Sequence, residues 1–174
     1  QSYATGAVSG QDRVGGLVGL NIDGTVTASY WNTDTSGQLE DETENGARGK
    51  GLTTAQLMTR SGDWFDSWDF EETWAIIEGE SYPYFQWRLP QGPHVVSGEL
   101  EGGFDADKSI GFVQNGAKFA VSAGANDFYY ALLDPSEAAL FFIVGENGGN
   151  LAFRPIAEEH TELRTLVDGL EQNV

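Results

Sequence analysis

Oxygen-bearing side chains alternate in Asn32-Thr33-Asp34-Thr35-Ser36-Gly37, which copies the opening of a calcium-binding loop and has a glycine placed for the turn. Such a loop closes on a bidentate glutamate at its twelfth position. Thr43 stands there instead, so Asn32 and Asp34 read first as an ordinary turn motif and only second as cation ligands. Asp105-Ala106-Asp107, behind Gly102-Gly103, is a second place for a cation, or else a loop stabilised by its own aspartates. Calcium at Asn32, Asp34, Asp105 and Asp107 is the only cofactor chemistry these residue types leave open; no other cofactor is expected.

A second chemistry lies between residues 63 and 87, where Asp63, Asp66, Asp69, Glu71 and Glu72 interleave with a run of aromatic residues. Paired carboxylates about 5 to 9.5 Å apart could cleave a glycosidic bond, although acids in this abundance also describe a solvated face. The rings themselves, Trp64, Phe65, Trp68, Phe70, Trp74, Tyr82, Tyr84, Phe85 and Trp87, suit either a core wedged under loops or a platform for sugar. Trp64, Trp68, Trp74 and Trp87 are therefore the ligand-binding candidates. No catalytic residue is expected. His94 and His160 are the only histidines, no glycine-flanked serine elbow occurs, and there are no cysteines. Dinucleotide, phosphate-loop and HExxH patterns are absent as well.

The 174 residues carry 27 acidic against 9 basic side chains, a formal net charge of -18. That charge repels nucleic acid and an anionic leaflet, and no apolar run is long enough to insert into a membrane. With 40% hydrophobic and 12% aromatic residues the chain can fill a core.

The elements that must hold these residues read as short strands. Val14 to Leu20 and Gly24 to Tyr30 alternate small and β-branched residues, with Asp23-Gly24 marking a tight turn between them. Ser2-Tyr3 returns as Ser29-Tyr30 after 27 residues, enough for one coil of three short strands. A parallel β-helix and a glycine-rich antiparallel meander both fit this pattern. Residues 38 to 51 read as an exposed acidic loop. Thr53-Thr54-Ala55-Gln56 has capping-box spacing for a short helix pinned by Leu52, Leu57 and Met58. Trp74 to Gly79 reads as a strand and a turn. Arg88-Leu89-Pro90-Gln91-Gly92-Pro93 marks a domain boundary. Beyond it, runs at Val95 to Leu100, Ile110 to Gln114, Lys118 to Ser122, Phe128 to Leu133, Leu140 to Val144 and Leu151 to Ile156 predict a sandwich. The tail, 158–174, fits helix or strand.

Val14-Gly15-Gly16-Leu17-Val18-Gly19 and Ser29 to Gly37, followed by Gly51-Leu52-Thr53-Thr54-Ala55-Gln56-Leu57, resemble the GLUG-type repeats of bacterial filamentous haemagglutinin-like exoproteins. Trp74-Ala75-Ile76 and Ser81-Tyr82-Pro83-Tyr84 look like the segment that closes such arrays, so the resemblance spans residues 2–87. Gly124 to Leu133 resembles a strand of a transthyretin-like sandwich. The resemblance implies an all-β chain: the end of a right-handed parallel β-helix with an aromatic-rich cap over 1–89, then a small antiparallel β-sandwich over 94–157. It implies a non-catalytic adhesin or stalk module, secreted or on the bacterial cell surface, cut from a longer chain. Its partners would be a host or environmental surface, polysaccharide included, and the remaining coils of its own chain. The alternative is an extracellular carbohydrate-binding module, with a polysaccharide hydrolase or lyase behind it.

Overall fold

The structure, a computed structural model, describes residues 1–39, 48–60, 63–99, 109–120, 128–144 and 151–156. Over these described residues it is all-β, built of short strands in small sheets with two one-turn α-helices and a 3-10 turn at Asp63–Phe65. The chain forms two compact units, the first built on Gln1–Pro90 and the second starting at Gln91.

In the first unit, strands β1 (Ser2–Ala4), β2 (Ser29–Asn32) and β3 (Lys50–Leu52) form a parallel sheet in that order. Ser2 pairs with Ser29 and Tyr3 with Tyr30, so the recurring dipeptide stacks on itself. Tyr30 then pairs with Lys50 and Asn32 with Leu52. Each strand runs into the next layer of contacts. Thr35 Oγ1 donates to the Thr5 carbonyl at 2.6 Å, Val8 N–H to the Ser36 carbonyl at 2.9 Å, and Gln38 Nε2 to the Val8 carbonyl at 3.1 Å.

After β2 and again after β3 the chain turns into a single helical turn, α1 (Thr33–Ser36) and α2 (Thr54–Leu57). So short a helix depends on its caps, because most of its N–H groups have no partner within it. Asn32 caps α1, which stops at Gly37 with φ 71°. Thr53 and Gln56 form the expected capping box: Gln56 N–H reaches Thr53 Oγ1 at 3.2 Å and Thr53 N–H reaches Gln56 Oε1 at 2.9 Å. Leu52, Leu57 and Met58 are buried, as their spacing predicts.

Residues 5–28 hold no strand, contrary to the alternation read at Val14 to Leu20 and Gly24 to Tyr30. Arg13, Asp23 and Ala28 have positive φ, which breaks extended pairing, and Asn21 closes its own turn through Gly24 at 2.8 and 2.9 Å. The acidic loop is also shorter than expected, since Lys50 and Gly51 belong to β3; residues 40–47 lie outside the described residues.

Gly16 is buried in this segment. A Cβ placed on it would overlap the Trp31 indole, itself buried, with Nε1 donating to the Gln38 carbonyl at 3.1 Å. Gly16→Ala should therefore destabilise the first unit by about 1–3 kcal/mol, the usual range for overpacking. A urea melt followed by tryptophan emission reads this cleanly, because all five tryptophans lie in this unit.

The second unit holds β6 (His94–Glu99), β7 (Ser109–Gln114), β8 (Ala117–Ala120), β9 (Phe128–Leu133), β10 (Ala139–Val144) and β11 (Leu151–Pro155). One sheet has the order β11-β10-β7-β8; the other pairs β6 with β9. The β7–β8 hairpin turns on Asn115 and Gly116, with φ 52° and 74°, where a two-residue turn demands positive φ. Phe112 and Phe141, paired across β7 and β10, are fully buried with centroids 5.6 Å apart. Gln114 clasps the β9–β10 connection: its Nε2 donates to the Asp134 and Glu137 carbonyls, and its Oε1 accepts from Asp134 N–H at 2.8 Å. The tail read as helix or strand lies outside the described residues.

Candidate functional site

Asn32 ends β2 with no exposed surface. Its Oδ1 accepts the N–H groups of Asp34 and Thr35 at 2.9 and 3.2 Å, and its Nδ2 donates to Thr54 Oγ1 and Tyr82 Oη, both at 2.8 Å. The amide thereby uses both donors and its acceptor oxygen on the protein itself. Asp34 Oδ2 accepts the Thr54 N–H at 2.8 Å, tying α1 to α2. The two residues that imitate a calcium loop thus act as a buried junction among β2, α1, α2 and Tyr82. Among the described residues no group of three or more His, Cys, Asp or Glu could hold a metal ion. Asp105 and Asp107 lie outside the described residues.

The structure separates the four candidate tryptophans. Trp68 and Trp74 are buried, with ring centroids 4.4 Å apart and Trp68 Nε1 donating to the Ala28 carbonyl at 2.9 Å. Around them pack Tyr3, Tyr30, Phe65 and Tyr82, so most of the aromatic segment is core. Trp64 is half-buried and carries Lys50 Nζ 4.3 Å above its ring. Trp87 is 74% exposed. It is the outer member of a stack that leads out of the core: Trp74 on Phe85 at 4.4 Å, then Phe85 on Trp87 at 5.7 Å with 24° between planes. The hairpin of β4 (Trp74–Ala75) and β5 (Tyr84–Phe85) positions this stack. The expected strand from Trp74 is only two residues long, because Ile77 begins a turn closed by Ser81.

The acids beside the rings face solvent. Asp63, Asp66, Asp69, Glu71 and Glu72 are all exposed. Hydrogen bonds from Glu72 N–H, the Thr73 hydroxyl and Glu71 N–H hold the Asp69 carboxyl below its ordinary range, opposite to the shift a general acid needs.

Burial pushes the Tyr3 hydroxyl up to about 12, with Tyr82 adding to the effect. Burial also takes Tyr82 to about 12, against the hydrogen bonds from Thr54 and Asn32. Both groups hold their proton more tightly folded than unfolded, so their stabilisation is complete below pH 10.0 and is lost as pH rises through about 12. The melting temperature of the first unit should accordingly fall between those values. Tyrosinate absorbance should show at least two of the six tyrosines, Tyr3 and Tyr82, ionising late or together with unfolding, with burial raising Tyr30 and Tyr84 as well.

No family model matches the chain, and no solved structure matches it. It is similar to a protein of Evansella cellulosilytica named "Putative Gly-rich membrane protein", 36% identical over 89 residues. The match covers 48% of this chain and 10% of that protein, so the chain spans a small part of that relative's length. Among the described residues no helix is long and apolar enough to cross a membrane.

Proposed function

We propose that this chain is a structural and adhesive module, without catalysis, of a large secreted or surface-displayed bacterial protein. Its first unit is the closing end of a right-handed parallel β-helix of GLUG type, and its second is a small β-sandwich. The observation that carries this reading is the parallel ladder in which Ser2-Tyr3 stacks on Ser29-Tyr30 and then on β3. Coils stacked this way satisfy their backbone groups from one layer to the next and build length by repetition. The glycine-rich relative, of which this chain matches a tenth, supports a long parent protein. The carbohydrate-binding reading is weaker, because it needs two exposed tryptophan faces in one groove and Trp68 and Trp74 are spent in the core.

Display of the whole chain on an inert bacterium tests the proposal by retention of cells on host-derived and abiotic surfaces. Retention above that of cells displaying an unrelated acidic domain is expected, with no new reducing ends released from a polysaccharide panel. Equal retention removes the adhesive function, and release of reducing ends removes the non-catalytic one.

A further inference from the structure

Trp87 is the most exposed aromatic ring described, and its position is set from below by the Trp74–Phe85 stack. Phe85 is itself 39% exposed, so two rings break the surface together. A ring already fixed by packing loses little freedom when something settles on it. Gln86, just before Trp87, donates its N–H to the Thr73 carbonyl at 3.1 Å and its Nε2 to the Phe70 carbonyl at 3.2 Å. Those two carbonyls flank Glu71 and Glu72, both exposed, so the turn that bears these carboxylates is tied to the residue between Phe85 and Trp87. Arg88 is the one positive charge adjoining it in sequence.

The chemistry that suits this patch is already used twice in the same unit. Lys50 Nζ lies 4.3 Å from the Trp64 ring centroid, and the Arg60 guanidinium lies 4.8 Å from that of Phe70. A cation over an aromatic face is attracted by the ring's negative face, most strongly by tryptophan, and nearby carboxylates add to the attraction. Among the described residues no cation is placed over Trp87. The chain's net charge of -18 draws basic partners and repels acidic ones.

We propose that Trp87 and Phe85, together with the acidic Asp69–Thr73 turn bonded to Gln86 between them, form a docking surface for an arginine- or lysine-bearing segment of a basic partner protein. The partner's guanidinium or ammonium group lies over the free face of Trp87 while its neighbouring charges meet Glu71 and Glu72. The surface gives the adhesive reading a partner chemistry, and it stands on the β4–β5 hairpin without needing the stacked coils.

The test is a titration of the ¹⁵N-labelled full chain at low salt with an end-blocked tetra-arginine peptide, and separately with neutral cellohexaose. The Trp87 indole resonance is identified by its loss in Trp87→Phe. The peptide should shift that resonance saturably and leave those of Trp68 and Trp74 in place. Affinity should fall about three- to tenfold in Glu71→Gln/Glu72→Gln, and by at least as much in Trp87→Ala, whose exposed ring leaves folding intact. An unmoved Trp87 resonance overturns the proposal. Unchanged peptide affinity in Trp87→Ala overturns it as well, by reducing the contact to surface charge. A shift with cellohexaose alone overturns it in favour of a neutral saccharide. Surface retention of displayed cells with no peptide binding would remove this surface while leaving the adhesive module standing.

Discussion

Trp74→Ala is expected to destabilise the first unit by about 3–5 kcal/mol, the range for removing a large buried aromatic side chain. Trp74 is 7% exposed and touches Tyr3, Trp68 and Phe85 at centroid distances of 6.5, 4.4 and 4.4 Å. Its backbone closes the same hairpin, accepting from Gln86 Nε2 at 2.6 Å and donating to the Asp69 carbonyl at 2.8 Å. Alanine would keep those backbone bonds but leave a cavity between the strand residues and Trp68. A loss this large is a sizeable fraction of the roughly 5–15 kcal/mol that holds a typical domain together. Chemical denaturation followed by tryptophan emission should show an early midpoint and a red-shifted native spectrum. Trp87→Ala, two stacked rings further out, should stay within about 0.5 kcal/mol of the unmodified chain. Equal losses at the two positions would mean that the stack is not ordered from core to surface.

Asn32→Ala should cost about 3 kcal/mol, a value assembled from a lost helix cap and the buried partners left behind. The cap to Asp34 and Thr35 N–H contributes about 1 kcal/mol of this. The remainder comes from the two donors withdrawn from Thr54 and Tyr82 inside the junction. In a unit of this size the loss corresponds to a fall of roughly 12–24 °C in melting temperature. Asn32→Asp separates the contributions, because aspartate keeps the capping oxygens but brings no donor and buries a charge near Asp34. It should be at least as damaging as alanine. Thermal melts of both variants, read by tryptophan emission, decide the point; recovery of stability in Asn32→Asp would assign the whole effect to the cap.

What could be read from the sequence is what depends on near neighbours. Thr53 and Gln56 are three residues apart, so their reciprocal bonds follow from spacing alone, and the hairpin at Asn115-Gly116 follows from residues that accept positive φ. The strands of the second half appear within about two residues of their expected ends for the same reason. The Ser-Tyr recurrence also translated into register, because identical side chains stack where a parallel ladder aligns them. Segment 5–28 misled because its alternation is real while positive φ at Arg13, Asp23 and Ala28 breaks extended pairing. The candidate site was harder to read. Asn32 looked like a ligand because a calcium loop and a helix cap use the same oxygen-bearing residues in the same order. Nothing local distinguishes Trp68 or Trp74 from Trp87; which rings are covered depends on Tyr3 and Tyr30, far off in the chain.

The parallel ladder uses chain length sparingly in one direction. Successive rungs lie about 4.8 Å apart, so the three strands from Ser2 to Leu52 advance only about 10 Å across the sheet. Paired positions are 27 residues apart on the first step and 20 on the second, as the pairings Tyr3 with Tyr30 and Tyr30 with Lys50 show. Drawn straight, those connections reach roughly 90 and 70 Å. A pull strong enough to peel one rung therefore releases many times the length that the rung occupied, and each release lowers the tension on what remains. In the adhesive role proposed above, such hidden length would let the tether lengthen before it breaks.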